Sequence, residues 1–257
     1  MAKEIALKAG KLIMDYYKKQ NFSVKDKGGF KNYVTDADTA AEKLIMGELT
    51  KAFPDYGFIG EETFDGKKVD KEFVWIVDPL DGTRNFVEGT DQFGVMIGLA
   101  HKGKPVLGVV YMPFYDYLYY AEKGKGAFCN GKKINVSNRS FEESEFTCQT
   151  YIINDEEIQG LYDKVTNKEI YVAGSAGFKI CLISQGEFDI FLTKKKFLKE
   201  WDLCGPMAIL EEAGGKGTDV KGKIVTYNRG ESDFPESMVF SNGLVHKEVL
   251  ERINSQS

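Results

Sequence analysis

The sequence predicts a mixed protein, α+β in its first half and α/β in its second, folded as two closely packed subdomains. Three observations carry this reading. Between residues 93 and 122, short strand-like runs follow one another through Gly- and Lys-bearing turns, the rhythm of an antiparallel sheet. After about residue 140, strand-like and helix-like segments alternate, the rhythm of an α/β unit. No internal repeat or low-complexity linker divides the chain, and its 257 residues suffice for two modest domains sharing an extensive core. The expected division is residues 1–140 and 141–257.

The elements follow in order. Residues 3–19 place Ile5, Ala9, Leu12, Ile13 and Tyr16 at helical spacing. A second helix is expected from about Asp38 to Ala52, with Ala41, Leu44, Ile45, Leu49 and Ala52 on one face and Thr35 and Asp38 where caps belong. Phe58-Ile59 and Phe73-Val74-Trp75-Ile76-Val77 read as short buried strands, each running directly into acidic residues. Strands are expected at 93–100, 105–112 and 117–122, and Asn130-Gly131 signals a further hairpin. The second half reads as strand 147–153, helix 155–166, strand 170–173, helix 176–185 and strand 188–192. A helix from about Leu203 to Ala213 admits Pro206 in its first turn, where a missing N–H costs little, and ends at Gly214-Gly215. Strand 238–242 and helix 246–254 finish the chain.

Composition narrows the function. The net charge of −5 gives no basic footprint for nucleic acid, so no nucleic-acid partner is expected. No apolar run approaches the roughly 20 residues that span a bilayer, and the opening MAKEIALKAG has no apolar signal core. Cys129, Cys148, Cys181 and Cys204 form no C-x-x-C pair and read as buried thiols of a reducing compartment, the cytoplasm by default. Only two histidines occur, His101 in a turn and His246 near the last helix, without ligand-like spacing. A Ser-His-Asp triad or a histidine-rich zinc site would need imidazoles in other company. Chemistry in this chain runs on carboxylates.

The strongest local signal is Val74-Trp75-Ile76-Val77-Asp78-Pro79-Leu80-Asp81-Gly82-Thr83, a buried strand that delivers two aspartates at its carboxyl end. Carboxylates emerging together from an apolar strand repel one another unless a cation neutralises them. Magnesium suits such a site, because it takes hard oxygen ligands and keeps positions open for water and phosphate. Backbone N–H groups of an element starting at Gly82-Thr83 could cradle a phosphate oxygen. Gly60-Glu61-Glu62 follows a strand, Asp36 and Asp38 flank the second helix, and Asp202 follows Trp201 before an apolar helix. Singly these are a solvated turn and two helix caps; together with Asp78–Thr83 they form a candidate site. A covalent aspartyl phosphatase would read Asp-x-Asp-Gly-Thr, whereas two residues separate Asp78 from Asp81, which disfavours an aspartyl nucleophile.

Gly60-Glu61-Glu62, Asp78-Pro79-Leu80-Asp81-Gly82-Thr83, and Trp201-Asp202 followed by Glu212-Ala213-Gly214-Gly215 resemble, in order, the motif set of the inositol monophosphatase superfamily. The resemblance runs from about residue 3 to the C-terminus. It implies a five-layer α-β-α-β-α sandwich of the sugar-phosphatase type, a homodimer, and magnesium-dependent, lithium-sensitive hydrolysis of a small-molecule phosphate ester. Carried over by position, Glu61, Asp78 and the Leu80 carbonyl hold one ion, and Asp78, Asp81 and Asp202 hold a second. A third ion is looser near Glu61, giving two to three Mg2+. Asp38 bonds Thr83, and with Glu61 they prepare the attacking water. Most of these metal ligands fall in residues 1–140. The resemblance places Asp81, Gly82, Thr83, Gly174, Ser175, Ala176, Lys194 and Asp202 against the substrate.

Substrate choice is the finer question. The inositol-preferring branch has an acidic residue before Trp-Asp, where this chain reads Phe191-Leu192-Thr193-Lys194-Lys195-Lys196-Phe197-Leu198-Lys199-Glu200 with no acid at the expected place. Gly174-Ser175-Ala176-Gly177-Phe178-Lys179-Ile180-Cys181-Leu182 followed by Glu200-Trp201-Asp202-Leu203-Cys204-Gly205-Pro206 resembles the 3′(2′),5′-bisphosphate nucleotidase branch, as does Gly103-Lys104-Pro105-Val106-Leu107-Gly108-Val109-Val110-Tyr111. Lysines near the site suit a second phosphate, as in adenosine 3′,5′-bisphosphate, NADP or fructose 1,6-bisphosphate. Asp36-Ala37-Asp38 and Arg84-Asn85-Phe86 sit equally well with inositol monophosphatases. A non-catalytic regulator that kept the fold is the alternative from another class; its mark would be a missing metal carboxylate, and none is missing.

Overall fold

The computed structural model describes residues 1–28, 33–149 and 152–255. Helix α1 (Ala2–Lys19) buries Ile5, Ala6, Ala9, Gly10 and Ile13, the face its spacing predicts. Strands β1 (Val24–Asp26) and β2 (Tyr33–Thr35) pair as an antiparallel ribbon. The sequence does not announce it, because β1 is exposed at every residue and carries no alternation to read. Helix α2 (Asp36–Ala52) starts at a capping box: Thr35 is the N-cap and Asp38 accepts the Thr35 backbone N–H at 2.8 Å.

The larger sheet has seven strands in sequence order: β3 (Gly57–Gly60), β4 (Phe73–Asp81), β5 (Gly94–His101), β6 (Lys104–Met112), β7 (Tyr117–Glu122), β8 (Ala127–Cys129) and β9 (Lys132–Ile134). The β3–β4 pair is parallel and the remaining pairs are antiparallel. Short helix α3 (Thr83–Val87) follows β4. Asn130 and Gly131 turn between β8 and β9 with φ of 48° and 81°, the left-handed pair that an Asn-Gly hairpin requires. One face of this sheet is covered by α1 and α2, through a core of Ile5, Ile13, Ile45, Leu49, Trp75, Val77, Val95 and Ile97.

The second sheet runs β11-β10-β12-β14-β13. Its strands are β10 (Phe146–Gln149), β11 (Ile170–Ala173), β12 (Ile190–Thr193), β13 (Lys216–Asp219) and β14 (Met238–Ser241). β10 is parallel to both β11 and β12, whereas β14 is antiparallel to β12 and β13. Helices α4 (Glu156–Val165) and α7 (His246–Asn254) pack on its outer face around Phe146, Ile158, Leu192, Val239 and Val249. Helices α5 (Ala176–Ser184) and α6 (Glu200–Glu212) lie between the two sheets and are apolar nearly all round, as a doubly covered layer must be. The result is the α-β-α-β-α sandwich.

Helix α6 crosses the larger sheet unusually closely. A Cβ on Gly108 would stand 2.1 Å from the Gly205 carbonyl oxygen, and one on Gly98 would stand 2.6 Å from the Gly205 nitrogen. Glycines on both sides of the crossing are therefore what let the helix settle on β5 and β6.

Several boundaries differ from expectation. Helix α6 begins at Glu200 instead of Leu203, because Asp202 in its first turn caps the Lys199 backbone N–H at 2.7 Å. Pro206 consequently lies inside the helix, and its missing N–H leaves the Asp202 carbonyl without its usual intrahelical donor. β10 ends at Gln149, and residues 150–151 of the expected strand 147–153 lie outside the described residues. Asp155 is the N-cap of α4, accepting the Glu157 N–H at 3.1 Å. β13, reading Lys-Gly-Thr-Asp, has no apolar pattern to predict it. No described helix is long and apolar enough to cross a membrane.

Candidate active site

β4 is buried at eight consecutive residues, Val74 to Asp81, and its carboxyl end carries the two aspartates. Its pairing with β5 is regular from Phe73 to Asp78 and then slips, so that Asp81 resumes opposite Gly94. That irregularity re-aims the end of the strand. Asp78 holds the turn by accepting the Leu80 N–H at 2.9 Å. Asp81 accepts the Gly177 N–H at 3.1 Å and the Ser175 hydroxyl, which ties β4 to the start of α5. Asp202 arrives from the first turn of α6. Asp78, Asp81 and Asp202 each present one oxygen, and these oxygens lie within 4.8 Å of one another.

Glu61 directly follows β3, its N–H donating to the Val77 carbonyl at 3.1 Å, and its carboxylate is near enough to repel that of Asp78. The Gly60-Glu61-Glu62 turn is braced by Glu42, whose buried carboxylate accepts the Glu62 N–H at 2.8 Å. A Cβ at Gly60 would meet that carboxylate at 2.5 Å, so the glycine is what admits it. The Lys27 ammonium stands 2.9 Å from Glu61 Oε1 and 2.6 Å from Glu62 Oε1.

Thr83 and Asp38 form the second part. Thr83 Oγ1 lies 2.9 Å from Asp38 Oδ1 and 2.9 Å from the Leu80 carbonyl oxygen. The other Asp38 oxygen accepts both the Thr35 N–H and, at 2.6 Å, the Thr35 hydroxyl. Asp38 is fully buried, so its bonds fix it without solvent.

The charges are unfavourable as they stand. Burial pushes Asp78 well above the usual carboxylate range, reinforced by repulsion from Glu61, Asp81 and Asp202. Asp202 is raised likewise, by burial and then by Asp81. Burial also raises Asp81, opposed by the Ser175 bond and by Lys179. Glu61 is pushed up to about 7 by burial, with Lys27 pulling the other way. Asp38 is raised to about 6 by burial against the bonds from Thr35 and Thr83. A set of buried hard oxygens whose charge is resisted by its own neighbours fits a divalent cation.

Glu61, Asp81, Gly82, Thr83, Gly174, Ser175, Ala176, Lys194 and Asp202 line one cleft of about 560 Å³, with Asp155 and Gln149 at its far side. Asp38, Asp78 and Leu80 lie buried rather than lining it. Lys194 is neutralised: its ammonium pairs with Asp155, while Lys195 lies 3.7 Å from Glu157 and Lys199 pairs with Asp233. The residues that sequence reasoning did not reach are Lys27, Glu42 and Gln149. Glu42 had a signal, since it lies one helical turn after Asp38 on the apolar face of α2. Lys27 and Gln149 had none.

The model of the inositol monophosphatase family matches residues 1–256. A protein of Thermotoga maritima named fructose-1,6-bisphosphatase/inositol-1-monophosphatase is 36% identical over 248 residues, covering 96% of this chain and 92% of its own. A histidinol-phosphatase of Chlorobaculum parvum is 36% identical over 232 residues, covering 87% and 86%. The crystal structure of the extragenic suppressor protein suhB of Bartonella henselae superposes with a TM-score of 0.85 at 32% identity, covering 99% of this chain and 97% of that one.

Proposed function

The chain belongs to the inositol monophosphatase family and is a phosphoric monoester hydrolase, and from that premise we propose that it is a magnesium-dependent, lithium-sensitive phosphatase of a small hydroxylated phosphate monoester of the inositol 1-phosphate type. The observation that carries the metal assignment is the meeting of Asp78, Asp81 and Asp202 within 4.8 Å, with Asp81 and Asp202 lining the cleft and Asp78 buried behind them. Glu61, Asp78, the Leu80 carbonyl, Asp81 and Asp202 hold the ions. Bound magnesium supplies a lowered pKa for the attacking water and neutralisation of the phosphate and leaving oxygens.

The chain's own residues do the rest. Thr83 accepts a hydrogen bond from the attacking water while its single proton goes to Asp38, which orients the water's lone pair toward phosphorus. Glu61 lines the same cleft, where its carboxylate is placed to take the water's proton. The Gly174-Ser175-Ala176 turn meets the part of the substrate beyond the phosphate. No covalent intermediate is needed.

The substrate reading departs from the nucleotidase branch that the lysine run favours. Lys194 and Lys199 of that stretch line the cleft, and both charges are already held, Lys194 by Asp155 and Lys199 by Asp233. Among the relatives, histidinol-phosphatase is named for a single phosphate, whereas the Thermotoga maritima name carries both inositol-1-monophosphatase and fructose-1,6-bisphosphatase and so goes with either reading. A second reading, a bisphosphorylated substrate such as adenosine 3′,5′-bisphosphate or fructose 1,6-bisphosphate, is favoured by Lys194 lining the cleft, because a phosphate could displace Asp155. Phosphate release from inositol 1-phosphate, adenosine 3′,5′-bisphosphate, NADP and fructose 1,6-bisphosphate at matched magnesium separates the two. The first reading expects the highest kcat/KM on inositol 1-phosphate; a preference for any of the other three overturns it.

A further inference from the structure

Lys179 is the one lysine of α5, a helix otherwise without charge, and its side chain is fully buried. Burial lowers its pKa to about 7, opposed by Asp81. In place of water its ammonium has three backbone carbonyls: Ala173 at 3.0 Å, Ser175 at 2.7 Å, and Gly174 between them. Three donors thus meet three acceptors, a complete set for an ammonium group.

The consequence lies on the other side of those peptides. In a planar trans peptide the carbonyl and the following N–H point in opposite directions. Turning the carbonyls of Ala173, Gly174 and Ser175 toward Lys179 therefore turns the N–H groups of Gly174, Ser175 and Ala176 away from it. These are three residues that line the cleft. The Gly174 N–H is taken by the Gln92 side-chain oxygen. Among the described residues, the N–H groups of Ser175 and Ala176 meet no acceptor.

We infer that Lys179 is a positioning residue for substrate recognition: by gathering three carbonyls behind the Gly174-Ser175-Ala176 turn, it aims the Ser175 and Ala176 N–H groups at the hydroxyl oxygens of the substrate's alcohol part. This rests on the phosphatase reading above and adds to it the residue that sets the direction of those donors. Lys179 does not touch substrate or phosphate; it acts through the backbone.

The test compares Lys179→Met with wild type on two substrates at saturating magnesium: inositol 1-phosphate, which has hydroxyls beside the phosphate, and p-nitrophenyl phosphate, which has none. Two misdirected donors predict that KM for inositol 1-phosphate rises about tenfold or more, while KM and kcat for p-nitrophenyl phosphate stay within about threefold. Lys179→Gln, which keeps an amide donor, is expected to fall between. Should Lys179→Met not fold, Lys179→Gln is read alone by the same split. Equal losses on both substrates, or no change on either, overturn the inference while active wild type leaves the hydrolase reading intact. Wild type inactive on inositol 1-phosphate sinks the substrate reading above and this inference with it.

Discussion

Thr83 Oγ1 stands 2.9 Å from Asp38 Oδ1 and equally far from the Leu80 carbonyl, two acceptors for a hydroxyl that has one proton. Asp38 is itself fixed by the Thr35 cap, so the pair is set by the start of α2 and the end of β4. Thr83→Ala leaves the carboxylate cluster in place and removes only the group that orients the water. We expect kcat to fall about 10²- to 10³-fold with KM little changed, and Thr83→Ser to recover most of the loss. Steady-state kinetics of the three proteins checks this; a Thr83→Ala enzyme of normal kcat would remove Thr83 from the reaction.

Asp78 separates function from stability. Its carboxylate is buried against Glu61, Asp81 and Asp202, whose charges resist its own. Asp78→Asn keeps the oxygen that accepts the Leu80 N–H and removes a charge from the cluster. Without magnesium the variant is expected to melt above wild type, and with magnesium below it, because binding to the native state is lost. Thermal melts across a magnesium series show whether the two curves cross.

The close crossing of α6 couples the fold to the site, because that helix carries Asp202. Gly108→Ala drives a methyl group into the Gly205 carbonyl oxygen. The expected cost is about 1–3 kcal/mol of stability, with a raised magnesium requirement as Asp202 shifts. Denaturant unfolding and a magnesium titration read the two effects; an unaltered magnesium requirement would uncouple the crossing from the site.

His246 is the acid-sensitive point of the core. Thr218 donates its hydroxyl to the Asp219 carbonyl at 2.8 Å, so it must accept from His246 Nε2, 2.9 Å away. His246 Nδ1 then accepts from Ser241, at 2.8 Å, and the ring is neutral. Burial, with a smaller effect of Lys216, lowers its pKa from 6.5 to about 4. A histidine lowered on folding adds stability above its unfolded pKa and loses it as protons bind. The loss therefore runs as pH falls from 6.5 toward about 4, and amounts to about 3 kcal/mol. His246→Gln should flatten that part of the stability curve, measured by urea unfolding between those pH values.

How much of this was legible depended on whether neighbours in space were neighbours in the chain. Asp78, Asp81 and Thr83 lie in one run at the end of an apolar strand, and the structure brings that run beside Glu61 and Asp202. The hairpin at Asn130-Gly131 was readable for the same reason, since its turn chemistry is local. Glu42 and Lys27 act across the fold, and a charge on a helix or in a lysine-rich segment does not say what it will meet. The lysines at 194–196 show the reverse: their charge was plain, but the partners Asp155 and Glu157 come from another helix's first turn. The start of α6 was missed because Asp202 serves the helix as its cap as well as facing the cluster.

Carboxylates around Asp78 that hold magnesium make hydrolysis depend on that ion. Phosphate release from inositol 1-phosphate, titrated with magnesium from a chelator-treated start in wild type and in Asp78→Asn, tests that dependence most directly. No release is expected without magnesium, with saturable activation in wild type, inhibition by lithium, and nearly complete loss in the variant at every magnesium concentration. Normal turnover by Asp78→Asn at saturating magnesium, or full wild-type activity in chelator, would contradict it.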